Sequence, residues 1–191
     1  PPKQSRQLAD QHDQTIQEIF RTIFAIPDAA DWSDTLHGIC WDTWVRQARF
    51  PLRFGGAGLR HSRRTRLAAY WGSWADTLPG LLQRFPDVGR GILEHLSRFH
   101  ARFDEWLLEG PRGLIGAELA GRTCQEGGWD TRPSWQELAD GARPPQPNAD
   151  EAALGEWRHG WQFTASDPVE RSAQADLFQE LVALPNTRVN A

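Results

Sequence analysis

The chain has no methionine, a single lysine (Lys3), a single tyrosine (Tyr70) and two cysteines in 191 residues, and each shortage closes off a class of explanation. Cys40 and Cys124 lie too far apart for a Cys-x-x-Cys metal clip, and two cysteines cannot make a disulfide framework. An intracellular, reducing compartment is the setting they suggest. No apolar run approaches the roughly 20 residues that cross a bilayer, and no signal-peptide pattern opens the sequence. A soluble chain with no membrane partner is therefore expected. The missing initiator methionine and the opening Pro1-Pro2 suggest a piece of a longer polypeptide, whose remaining domains would then be partners.

The signatures of common catalytic sites are missing too. Two-metal polymerase and nuclease centres need converging carboxylates, commonly an adjacent pair, and there is no Asp-Asp dipeptide. Asp104-Glu105 and Asp150-Glu151 are adjacent acids, but consecutive helical positions diverge by about 100°, which suits solvated surface better. His37-Gly-Ile-Cys40 offers two ligands where zinc needs three or four. His100 and Asp104 have the spacing of an ordinary helix-surface pair. Ser73 lacks the Gly-x-Ser-x-Gly surround of a nucleophile elbow. The glycines at 55–58 are not followed by Gly-Lys-Ser/Thr, so they do not make a nucleotide P-loop. Neither a catalytic residue nor a metal or cofactor site is assigned.

What is present is helical periodicity. Leu8, His12, Ile16, Ile19, Phe20 and Ile23 recur at three- and four-residue steps between Ser5 and Ile26, predicting an amphipathic helix stopped by Pro27. A second helix is expected over Thr35–Arg49, with Leu36, Ile39, Cys40, Val45 and two tryptophans as its apolar side. The third carries Leu67, Trp71, Trp74 and Leu78 as one buried stripe, capped by Ser62. Asp87 would cap a fourth, whose seam runs from Ile92, Leu93 and Leu96 to Phe99, Phe103, Trp106 and Leu107. Ser134-Trp-Gln-Glu137 reads as a capping box, and Asn148 with Glu151 as another. A last helical stretch follows, interrupted at Asp167-Pro168. Nothing alternates like a strand. The fold expected is all-α, an irregular bundle of about five to seven helices with Pro/Gly-rich connections. Its domains would be a body over 1–140, a Pro-rich linker over 141–147 and a helical extension over 148–191 packing on that body.

One segment points at a function. Seven of the 20 arginines and no acidic residue lie between Asp42 and Asp76, leaving 14 basic against 25 acidic residues elsewhere. At its centre is Ala48-Arg-Phe-Pro-Leu-Arg-Phe-Gly-Gly-Ala-Gly-Leu-Arg60. Glycines allow close backbone approach, and a helix start after Ser62 would present free N–H groups and a positive dipole end. Arg49, Arg53, Gly55, Gly56, Gly58, Arg60, Arg63, Arg64 and Arg66 thus form a candidate nucleic-acid-binding set, gripping a phosphate backbone without regard to sequence. The competing reading is that the glycines only turn the chain tightly and the arginines pair with the protein's own acids. Trp41, Trp44, Trp71 and Trp74 fit a core better than a base-stacking platform, and the two tryptophans of Trp157-Arg-His-Gly-Trp161 fit a packing patch.

The run from Trp44 to Ser62, followed by Ala68-Ala-Tyr-Trp-Gly-Ser-Trp74, resembles the segment after the palm in reverse transcriptases of non-LTR retrotransposons. There, Leu-Pro and Gly-Gly-x-Gly-Leu lead into a thumb helix rich in Ala, Tyr and Trp. Glu156-Trp-Arg-His-Gly-Trp-Gln-Phe163 resembles a downstream patch in algal and protist retroelement-like reading frames. The close likeness covers about 30 residues, and Phe50 and Phe54 stand where leucines are usual. The resemblance implies a non-catalytic thumb-and-connector fragment of an RNA-directed DNA polymerase. It would hold an RNA–DNA or DNA duplex, in a nuclear setting, with the parent enzyme's Mg²⁺ carried by palm aspartates absent here. The downstream Cys/His cluster of such elements is absent as well. The alternative is a helical protein–protein interaction or scaffold module with no nucleic-acid role.

Overall fold

The computed structural model describes residues 2–23, 41–98, 112–146 and 160–183. Among these, seven α-helices and one 3-10 turn account for the regular structure and there is no strand: the fold is an all-α helical bundle. The helices are α1 (Pro2–Ile23), α2 (Trp41–Ala48), α3 (Ser62–Arg84), α4 (Pro86–Arg98), α5 (Arg112–Glu126), α6 (Trp135–Ala139) and α7 (Trp161–Ala183), with the 3-10 turn at Leu52–Phe54. The chain forms two compact units. The first comprises Pro1–Ser5 with Arg64–Val169, and the second Arg6–Arg63 with Glu170–Ala191. Residues 141–147, expected as a linker, fall within the first.

The first unit is organised around Trp71, which has no solvent exposure. Its ring meets Trp129 edge-on at 4.7 Å, Trp161 edge-on at 5.8 Å and Trp135 at a tilt at 5.7 Å. Such offset and T-shaped contacts suit the aromatic quadrupole, and they let four large rings share one centre. Small residues make room: Ala68 and Ala75 flank Trp71 on α3, and Ala117 and Ala120 face the same core from α5. A Cβ on Gly121 would stand 2.5 Å from the Trp71 ring, so α5 approaches where only glycine fits. The expected stripe on α3 is accordingly shifted. Trp71 and Leu78 are fully buried, but Ala68 and Ala75 complete the face, while Leu67 and Trp74 are only partly covered. Helix α4 packs against α5 and α6 through Leu96, with Ile92 and Leu93 half-buried.

One charge lies inside this core. Glu118 is wholly buried, and four donors meet its two oxygens: both Arg132 Nη groups at 3.0 Å, Arg122 Nε at 3.0 Å and Trp135 Nε1 at 2.7 Å. A carboxylate offers about four lone-pair sites, so the set is saturated. Burial alone would push the Glu118 carboxyl up; the Arg132 fork, Arg122 and the Trp135 indole outweigh that and hold it below its usual range. Cys124 is a buried free thiol, pushed up to about 11 by burial.

Helix starts are satisfied by side chains. The Ser134–Glu137 capping box is complete, with Ser134 Oγ accepting from the Glu137 N–H at 3.2 Å and Glu137 Oε2 accepting from the Ser134 N–H at 2.7 Å. Asp76 accepts a hydrogen bond from the backbone N–H of Trp161 at the start of α7; loss of water outweighs that bond and raises its pKa. Helix α7 is continuous through Pro168, where an interruption was expected. Proline costs one N–H bond and crowds the preceding turn, but in the first unit the helix is held by buried Trp161 and Ala165 ahead of it. Helix α3 likewise runs through Pro79.

The second unit departs most from the expected pattern. On α1 the buried positions are Ala9 and Asp13, with Ile16 and Phe20 partly covered, whereas Leu8 and Ile23 are 68% and 70% exposed and Ile19 is exposed too. The helix is rotated away from its apolar stripe because Asp13 is drawn inward by the polar contacts described below. Trp44, expected in a core, is 49% exposed. Val45, Ala48, Phe50 and Leu177 are buried. The expectations at Pro27, Leu36, His37, Ile39, Cys40, Phe99, His100, Phe103, Asp104-Glu105, Trp106, Leu107, Asn148 and Asp150-Glu151 lie outside the described residues.

Candidate nucleic-acid interface

The chain leaves α2 at Arg49, makes the 3-10 turn, and returns through Gly55–Arg60 to α3. Gly55 and Gly58 adopt left-handed φ of 72° and 74°, a region that costs other residues about 1–2 kcal/mol. Gly56 serves a different need: a Cβ there would lie 2.0 Å from the Phe50 carbonyl oxygen. The loop is folded onto itself. Backbone N–H groups of Phe54 and Gly56 donate to Pro51 O, Gly55 to Leu52 O, Ala57 and Leu59 to Ala48 O, Gly58 to Phe50 O and Arg60 to Gly58 O, all within 2.9–3.3 Å. Gln47 Nε2 also donates to the Phe54 and Gly55 carbonyls. Every main-chain donor from Phe54 to Arg60 is thus used internally, and the glycines close a turn instead of cradling an anion.

The start of α3 is likewise occupied. Asp13 Oδ1 accepts from the Ser62 N–H at 2.8 Å and Asp13 Oδ2 from the Arg63 N–H at 3.0 Å. The expected free N–H groups are therefore already bound to an anion, one that α1 supplies. Around this carboxylate, His61 Nδ1 stands 2.6 Å from Oδ2, His12 Nδ1 lies 2.8 Å from Ser62 Oγ, and Arg49 Nη2 donates to the Asp13 carbonyl at 3.0 Å. Burial pushes the Asp13 carboxyl up, but the Arg63 and Ser62 N–H bonds with the His61 and Arg49 charges more than offset it and leave it below its usual value.

The candidate arginines therefore separate by role. Arg49 is part-buried against α1. Arg63 is exposed, with Asp10 Oδ1 at 3.7 Å from its Nε. Arg64 and Arg66 belong to the first unit, and Arg64 Nη1 and Arg66 Nε are shielded from water. Arg53 and Arg60 are exposed, and no carboxylate among the described residues pairs with Arg60. Nearby Arg46, outside the candidate set, forks onto Glu180. Within the described part of the second unit, eight basic residues meet seven acidic ones, so the positive block is largely neutralised at home.

One residue escaped the sequence reading. Arg171, on α7, places its guanidinium 5.8 Å from the centre of the Phe54 ring, over which Arg53 lies at 4.9 Å. No local motif marks Arg171; only the fold brings it to Phe54.

Elsewhere chemistry is sparse. Ser73 Oγ is spent on the Ala69 and Tyr70 carbonyls. Among the described residues no group of three His, Cys, Asp or Glu side chains is arranged to hold a metal ion, and no helix is long and apolar enough to cross a membrane. No protein-family model, curated protein or solved structure matches the chain.

Proposed function

We propose that the second unit contacts a nucleic-acid backbone through arginine side chains alone, as a non-catalytic segment resembling the thumb of a retroelement reverse transcriptase. The observation that carries this reading is the exposure of Arg53, Arg60 and Arg63 along one continuous segment whose backbone donors are all engaged or capped. Contact by side chains predicts modest, sequence-indifferent affinity. With three phosphates neutralised, log K should fall against log salt with a slope of about −2.7, roughly 40-fold between 50 and 200 mM. Fluorescence anisotropy with a labelled RNA–DNA hybrid tests it, comparing wild type with Arg53→Gln/Arg60→Gln/Arg63→Gln. The variant should lose most of the affinity and most of the salt dependence. Equal binding by the two proteins rejects the reading.

A second reading, a helical docking module, is favoured by the acidic partners of Arg46 and Arg63 and by the exposed Leu8, Ile19, Ile23, Phe178 and Val182 of the same unit. In it the arginines are internal scaffolding. The triple variant then binds the hybrid as poorly as wild type and keeps its stability, because exposed ion pairs contribute only about 0–1 kcal/mol each.

A further inference from the structure

Phe54 is the best-anchored residue of the arginine–glycine loop. Its carbonyl accepts Gln47 Nε2 from α2 and Gln174 Nε2 from α7, each at 3.2 Å. Its ring sits beneath Arg53 at 4.9 Å and near Arg171 at 5.8 Å, with Arg171 and Gln174 one turn apart on α7. Two like charges are thereby held beside one ring. The ring's negative face attracts each guanidinium, but nothing in that attraction cancels the repulsion between them. A guanidinium that packs its flat face on an aromatic ring still directs N–H groups outward along its edge, in the fork geometry that matches phosphate oxygens. Both arginines are exposed, so that edge is open to an incoming oxyanion.

From this convergence we infer that Arg53 and Arg171, mounted on Phe54, form a two-guanidinium clamp for a phosphate group. Phe54 acts as the mount and not as a platform for a base, since guanidiniums already occupy its surroundings. The clamp is indifferent to base identity for that reason. Naming a polynucleotide backbone as the natural source of the phosphate rests on the function proposed above; the clamp itself rests only on the Arg53–Phe54–Arg171 geometry.

The test uses the full chain labelled with ¹⁵N, reading the arginine Nε–H signals during titration with inorganic pyrophosphate and, separately, with a 20-base-pair RNA–DNA hybrid. The Arg53 and Arg171 signals should move together, saturably and with one midpoint, in both titrations. Arg171→Gln should abolish the Arg53 response and make the salt slope for the hybrid shallower by about 0.9, the loss of one phosphate contact. Arg53→Gln should do the same to Arg171, so the result does not depend on one variant folding well. Phe54→Leu, which keeps both charges, should weaken pyrophosphate several-fold, and Arg143→Gln, in the other unit, should change nothing. If the pair answers pyrophosphate while the hybrid does not bind, the clamp stands and the nucleic-acid function falls. If the hybrid binds while the two signals stay still or move with different midpoints, the clamp is overturned and the function survives.

Discussion

Glu118 and Asp13 are both buried carboxylates, and each is held by donors drawn from more than one place in the chain. Removing one partner of such a set leaves the others buried and unsatisfied, a loss of about 3–5 kcal/mol. Glu118→Met should therefore lower unfolding free energy in chemical denaturation by that order, and Glu118→Met/Arg132→Met should lose clearly less than the single variant. Equal losses would mean that the charge pair is not the unit that matters. Both carboxyls are depressed in the folded state, so the stability they supply is complete above their ordinary values of about 3.9 and 4.3 and is lost as pH falls through the lower, folded-state values. Asp76, raised by loss of water, works against this and softens the slope. Melting temperatures followed from pH 6 down to pH 2.5 should drop below about pH 4, and less steeply in Asp13→Asn. A melting temperature that rises on acidification would contradict these assignments.

Among the elements, long periodic helices were legible and their orientation was not. The Trp71–Leu78 face of α3 follows directly from residue spacing, and the Ser134–Glu137 box from a four-residue motif. In α1 the strongest apolar stripe gave the wrong face, because a single carboxylate finding two helix-start N–H groups and His61 outweighed the burial of Leu8, Ile19 and Ile23. That preference depends on residues about 50 positions away, beyond the reach of any local pattern. Pro168 misled for the opposite reason: a local breaker was overridden by packing on Trp161 and Ala165. The glycine loop was recognised as special, but its glycines act in two distinct ways. Gly56→Ala drives a methyl into the Phe50 carbonyl and should cost roughly 2–3 kcal/mol in thermal or urea unfolding. Gly58→Ala meets open space and only left-handed strain, about 1–2 kcal/mol. The reverse order would show that close approach at Gly56 is not what the loop requires.

Over the whole molecule, the charge asymmetry of the sequence is real, yet the fold spends much of it internally. Arg46 is matched by Glu180, Arg49 by the Asp13 carbonyl and Arg63 loosely by Asp10. What remains for a polyanion is a sparse set of side chains, Arg53, Arg60 and Arg63, joined by Arg171 through the fold. Positive charge was visible in the sequence; which arginines keep it outward was not, since their acidic partners come from α1 and α7. A phosphate-binding loop and a side-chain grip differ in one respect above all, the state of the backbone N–H groups from Gly55 to Arg63. Native-state amide hydrogen exchange reads them directly. In the free protein Gly56, Ala57, Gly58, Ser62 and Arg63 should be protected, and Asp13→Asn should release Ser62 and Arg63 selectively. Exchange of these amides at unprotected rates in the wild-type protein, with protection appearing only when a polyanion is added, would contradict the account.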